Sequence, residues 1–265
     1  MLRRAFAFAF IFGMLLGSRR QEARAARPKA PPFQAMLDIL EAPSVQPILE
    51  ALDKAKLSGS FVFLGRCDLR HCKPLRPTAE CFPDFPQFRA PATRGGSPLQ
   101  TLREILADDP AMHVTQDPDG TFRMNESGVP TDLLNIRISR ILFESYGANG
   151  QRGIYTANAA LGVILQAPEV IAFMKAHDIG GPFDSSAGSG GAVPGNASAW
   201  PPELPHISGS LDNVTLSEAL DRVLKTFPGI WIYENCPQSG KKNRVVYFRF
   251  LSLQKIGSRV FVVAG

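Results

Sequence analysis

The chain has 265 residues, 45% of them hydrophobic and 20% charged, which suits one or two globular domains with a sizeable core. Its formal net charge is +5, but residues 1–25 hold five arginines (Arg3, Arg4, Arg19, Arg20, Arg24) against one acid, Glu22, so the rest is close to neutral. Apart from the short Lys241, Lys242, Arg244 run there is no dense basic cluster, which argues against a nucleic-acid partner held by counterion release.

Arg3 and Arg4 precede an apolar run, Ala5 to Leu16, of 12 residues. That is too short to cross a hydrocarbon layer of about 30 Å as a helix, and suits the apolar segment of a secretory signal peptide. Ala23-Arg24-Ala25 has the form of a cleavage site, so residues 1–25 read as a signal peptide and Ala26 as the new first residue. The charged stretch from Ser18 to Arg24 is atypical, and an amphipathic start or an uncleaved anchor is the alternative. No later segment reaches 18 apolar residues, so the expected product is periplasmic or secreted, with no membrane span after cleavage.

Residues 26–56 read as a helical lead. Phe33, Met36, Leu37 and Leu40 make one apolar face and Val45, Ile48, Leu49 and Leu52 another, with Pro43 and Pro47 between. Residues 57–130 read as a first module. Phe61 to Leu64 is a buried strand. Ser97 caps a helix whose first position is Pro98 and whose stripe is Leu99, Leu102, Ile105 and Leu106. Met112 to Val114 and Thr121 to Met124 form a hairpin over Asp117-Pro118-Asp119-Gly120. That turn lacks the remaining oxygen ligands of an EF-hand loop.

Within this module, residues 67–96 form a Pro- and Cys-rich insertion. Three of the four cysteines, Cys67, Cys72 and Cys81, lie in it, and Cys236 lies far away. An exported chain with an even count points to disulfides: one bridge within the insertion, and one from its remaining cysteine to Cys236. The competing reading is a zinc site of Cys67, His71, Cys72 and Cys81, against which stand an unusual spacing and the oxidising compartment.

In residues 131–179 an alternating strand (Leu134, Ile136, Ile138) precedes a helical stretch, Ala157 to His177, divided at Pro168. Residues 180–206 are a Gly-, Ser- and Pro-rich linker. Residues 207–265 form a second module. Ile207 opens a strand, and Thr215 caps a helix with Leu216, Ala219, Leu220, Val223 and Leu224. Ile230 to Tyr233 and Val245 to Phe250 are paired strands, and Val260 to Val263 adds another.

The two modules align without a gap. At an offset of 118, Ser97–Thr115 lies over Thr215–Tyr233, so that Leu102 meets Leu220, Leu106 meets Leu224 and Pro110 meets Pro228. The matches fall on the apolar positions, as for one packing scheme used twice. The expected fold class is therefore α+β: two small helix-on-sheet modules of β-α-β-β type, with a helical middle segment and long loops.

The stretch from Ile207 through Asn213, Val214, Thr215, Leu216, Glu218, Ala219, Leu220 and Leu224, followed by Gly229-Ile230-Trp231-Ile232-Tyr233, resembles the short domain at the N-terminus of secretins and TonB-dependent receptors. The resemblance covers about 45 residues, with a degenerate copy over residues 97–124. It implies periplasmic, non-catalytic modules that contact secretion or signalling partners through strands or helix faces. An envelope protein of unknown identity is the expected partner, with Trp231, Tyr233, Tyr247 and Phe248 as contact candidates. The sequence departs from the family in lacking a barrel or secretin core after the domain.

No catalytic, cofactor-binding or metal residue is assigned, and no cofactor is expected. Ser252-Leu253-Gln254-Lys255 satisfies Ser-x-x-Lys but follows a strand instead of opening a helix. His71, His113, His177 and His206 are scattered. The enzymatic alternative is an exported hydrolase whose site forms near the Cys-rich loop.

Overall fold

The chain divides into two units, residues 1–37 and 38–265. The computed structural model describes residues 45–65, 88, 96–143, 154, 156–181, 205–237, 243–256 and 259–264, all in the second unit. The expected signal segment, the Phe33–Leu40 face, Cys67, Cys72, Cys81 and most of the expected linker lie outside the described residues.

Local chemistry sets the first elements. Helix α1 (Gln46–Ala55) carries Pro47 in its first turn, buries Ile48, Leu49 and Leu52, and ends at Lys56, whose φ is 56°. Strand β1 (Gly59–Leu64) follows. Helix α2 (Pro98–Ile105) starts where the Ser97 hydroxyl accepts the Gln100 N–H at 3.2 Å. Strands β2 (Met112–Gln116) and β3 (Phe122–Glu126) close over the expected turn, with Gly120 at φ 90°.

The strand expected over Leu134–Ile138 begins later. Leu133–Asn135 is a turn of 3-10 helix that buries Leu133 and Leu134, and β4 runs from Arg137 to Phe143. The helical stretch divides as expected into α3 (Ala157–Leu165) and α4 (Pro168–Ala176), bent by 62°. Among the described residues no single helix is long and apolar enough to cross a membrane. After β5 (Ile179–Gly180) and β6 (Gly209–Thr215), α5 (Leu216–Thr226) opens with a reciprocal cap: the Thr215 hydroxyl accepts the Glu218 N–H, and the Glu218 carboxylate accepts the Thr215 N–H. Strands β7 (Ile230–Pro237), β8 (Arg244–Ile256) and β9 (Arg259–Ala264) end the chain.

The class is α+β, as expected. Seven strands form one mixed sheet in the order β2-β3-β1-β7-β8-β5, with β9 also on β8. β1 is parallel both to β3 and to β7, β2 runs antiparallel to β3, and β8 runs antiparallel to β7 and β9 but parallel to β5. Strands β4 and β6 form a separate antiparallel pair.

Successive side chains of a strand point to opposite faces, so the sheet serves two cores. On one face Phe61, Phe63, Met124, Ile230, Ile232 and Leu251 pack with α1 and α2. On the other, Val62, Trp231, Tyr233, Val246, Phe248 and Phe250 pack with α3, α4 and α5.

Both aligned segments take the helix-then-hairpin form: α2 leads into β2 and β3, and α5 into β7 and β8. Their helices lie on opposite faces, since Leu102 belongs to one core and Leu220 to the other. Their leading strands differ. β1 pairs with β3 in the main sheet, whereas β6 pairs with β4 outside it. The β1–β7 pairing joins the two aligned segments into one sheet.

Candidate functional site

The four contact candidates lie largely inside. Trp231, Tyr233 and Phe248 are buried in the core under α3 and α5, and Tyr247 is half-buried. Trp231 and Tyr233 lie on β7, which β1 and β8 flank, so neither border of that strand is open; Tyr247 and Phe248 lie on β8, which pairs with β7. Trp231, Tyr233 and Phe248 are therefore core residues, and the expectation that they form a contact surface is corrected; Tyr247 belongs to neither core. The cause is the parallel β1–β7 pairing, which adjacency in sequence does not signal.

Cys236 is fully buried at the end of β7. Alternation with Ile230 and Ile232 puts Glu234 and Cys236 on the α1/α2 face. Glu234 is 1% exposed, and its Oε1 lies 3.6 Å from the Cys236 sulfur. Gly65, whose N–H donates to the Asn235 carbonyl at 2.8 Å, packs against both side chains; a Cβ there would fall 2.2 Å from Glu234 Oε1 and 2.7 Å from Cys236 Sγ. Burial pushes the Glu234 carboxyl up to about 8, with Arg249 opposing. Two strands over, on β3, the Glu126 carboxylate accepts the Leu64 N–H at 2.7 Å. The carboxyl ends of three parallel strands, a usual place for chemistry in such sheets, thus hold a buried carboxyl kept well above the usual carboxylate range.

A second polar network sits at the other end of these strands, on the α5 face. Arg123 donates from both terminal nitrogens to the two oxygens of Asp221, at 2.8 and 2.5 Å, and from Nε to Asp117 at 2.7 Å. The Trp231 indole N–H donates to the same Asp221 at 2.8 Å. Burial disfavours the Arg123 charge, but Asp221 and then Asp117 outweigh that and hold it protonated. Each member is partnered by another, so the network reads as a brace joining β3, β7 and α5.

The third feature is the outer edge of β2. The Ser127 N–H donates to the Ala111 carbonyl and the Asp117 N–H to the Thr121 carbonyl. In an antiparallel ladder that pattern aims the backbone groups of residues 111, 113, 115 and 117 at β3. Those of Met112, Val114 and Gln116 consequently point away from the sheet. The Met112 N–H turns back to the Asp109 carbonyl at 3.1 Å. The Met112 carbonyl, both groups of Val114 and the Gln116 N–H have no strand partner among the described residues.

The borders of the β4–β6 pair are guarded. On β4 the outward Ser139 N–H donates to Glu169 of α4 at 3.0 Å, and the Ser139 hydroxyl donates to the same oxygen. On β6 the outward Asn213 has φ 54°, and its carbonyl accepts from Arg137 at 2.9 Å. β2, of sequence Met-His-Val-Thr-Gln, has no charged acid or base, proline or bulge to discourage a neighbour.

Among the described residues the histidines do not converge. His113 bonds to the Ser127 hydroxyl at 2.7 Å, and His177 stacks on Phe173 with ring centroids 4.1 Å apart. Among the described residues no group of three or more His, Cys, Asp or Glu side chains could hold a metal. Cys67, His71, Cys72 and Cys81 fall outside those residues.

No protein-family model, no curated protein and no solved structure matches this chain.

Sequence reasoning missed Arg123, Asp221 and Glu234. Isolated charges inside strand or helix patterns were the available signal. Glu234 in particular interrupts the apolar run Ile230–Tyr233, where a solvent-facing residue would be the default assumption.

Proposed function

We propose that this chain is an exported, non-catalytic binding module of the cell envelope, accessory to a secretion or TonB-type signalling assembly, and that it docks another polypeptide along β2. The observation that carries the reading is the run of outward backbone groups from Met112 to Gln116, the pattern that strand addition uses. Main-chain hydrogen bonds would supply affinity, and side chains alternating across the pleat would supply selectivity. The export half rests on Arg3, Arg4, the Ala5–Leu16 run and Ala23-Arg24-Ala25; the family half rests on the Asn213–Leu224 motif. Thr115→Lys tests the docking claim, because a lysine on an exposed edge discourages pairing without touching a core. Affinity capture from the native envelope should recover a defined component with the wild-type chain and lose it with the variant. Equal recovery by both would sink the proposal.

Glu234 favours a second reading, an exported hydrolase using that carboxyl as a general acid or base near neutral pH. Hydrolytic turnover that Glu234→Gln abolishes, in a variant with wild-type melting behaviour, would replace the first reading with this one.

A further inference from the structure

We infer that the polypeptide docked on β2 is a second copy of this chain, paired antiparallel through a two-fold axis at Val114. The inference rests on the reading of β2 as a docking edge and names its occupant.

The edge is self-complementary about its central residue. Val114 presents an outward N–H and an outward carbonyl, so two copies can exchange both bonds as one hydrogen-bonded pair. Two residues away on either side, the Met112 carbonyl of one copy meets the Gln116 N–H of the other. The outward N–H already in use, that of Met112, donates to Asp109 within its own copy. It therefore leaves no donor stranded when the copies meet. In this register His113 lies across from Thr115 of the second copy. Both are exposed, and β2 contains no acid, lysine or arginine, so no like charges oppose each other. On the other face Val114 and Met112, already 7% and 9% exposed at the rim of the α1/α2 core, would meet Val114 and Gln116 of the second copy. That contact extends the buried stripe across the axis. A two-fold of this kind is isologous and closed, so it yields a dimer and stops.

The register is the test. His113 and Thr115 would form a non-hydrogen-bonded pair with Cα atoms about 4.5 Å apart, within disulfide reach. The full chain carrying both His113→Cys and Thr115→Cys should cross-link quantitatively to a dimer under oxidation. Thr115→Cys alone, with the same native cysteines, should not, because residue 115 does not face itself. Sedimentation of the unmodified chain should show twice the monomer mass, and Gln116→Pro, which removes an outward donor and no bond to β3, should restore the monomer. A monomeric wild type whose envelope partner is lost on Thr115→Lys would overturn self-pairing while leaving β2 a docking edge. A monomeric wild type whose partner is unaffected by that change would overturn both. A dimer that Gln116→Pro leaves intact and the cysteine pair does not cross-link would place the interface elsewhere and overturn the inference.

Discussion

Arg123 of β3 and Asp221 of α5, 98 positions apart in the chain, face each other through two side-by-side hydrogen bonds. The Trp231 indole donates to the same carboxylate, so one acid fixes a cation, an aromatic ring and the pitch of a helix at once. Their side chains are 20% and 13% exposed, so solvent screens the pair only in part. Removing one partner leaves the other charge buried, which costs about 3 kcal/mol. Asp221→Ala should therefore lower the denaturation midpoint strongly and shift the Trp231 fluorescence. Replacing Arg123 and Asp221 together by Met and Leu should cost much less than the two single changes added, since no charge is then left behind. A small effect of Asp221→Ala would show that the brace is ornamental.

Glu234 makes stability depend on pH in a direction opposite to that of a salt-bridged acid. Its folded carboxyl titrates at about 8, above the ordinary value of 4.5, so between those limits the folded state holds a proton that the unfolded state has released. Stability contributed by the neutral buried form is complete below pH 4.5 and declines as pH rises through 8. The slope approaches about 1.4 kcal/mol per pH unit within that window. Chemical unfolding at pH 5, 6, 7 and 8 should show the decline, and Glu234→Gln should flatten it. A wild-type curve that rises across this range would refute the assignment.

Gly229 stands where β7 begins. Its N–H donates to the Ser58 hydroxyl at 3.3 Å and its carbonyl accepts from Gly59 at 3.1 Å. A Cβ there would fall 2.3 Å from the backbone carbonyl oxygen of Leu251, which cannot swing aside as a flexible side chain can. Gly229→Ala should cost about 3 kcal/mol, the upper end for overpacking, measured as a loss of melting temperature. Gly128→Ala is the control. Its surroundings are open, so the change there reports only the strain of φ 82°.

The cap of α5 is a separable contribution. Thr215→Ala removes the acceptor for the Glu218 N–H and should destabilise the protein by about 1 kcal/mol, and Thr215→Ser should recover most of it. Equal melting of all three proteins would mean that packing alone holds the helix start.

The elements that were legible in the sequence are those whose signals are local. Ser97-Pro98 and Thr215 with Glu218 mark helix starts by capping chemistry, Pro168 divides α3 from α4, and Asp117–Gly120 sets a turn. Leu134 misled because its alternation with Ile136 and Ile138 persists into a 3-10 turn, where burial follows the packing of the turn and not a pleat. The aromatics of β7 and β8 pass for contact candidates because no local pattern signals that β7 pairs with β1 across more than half the chain. The candidate sites were hardly legible. Glu234 is pushed up only by its burial in the folded sheet, and the β2 border is open because of a strand order that no local pattern encodes.

The position of β1 also governs the order of events during synthesis. Emerging early, it can settle beside β3 once residue 126 is made, but its other flank waits for residues 230 to 235. Until then Phe61 and Phe63 sit in a half-built layer, a condition that invites wrong pairings and slows maturation. A protein cut within residues 182–204 would strand that layer permanently, so the two halves should fold when supplied together and not when expressed apart.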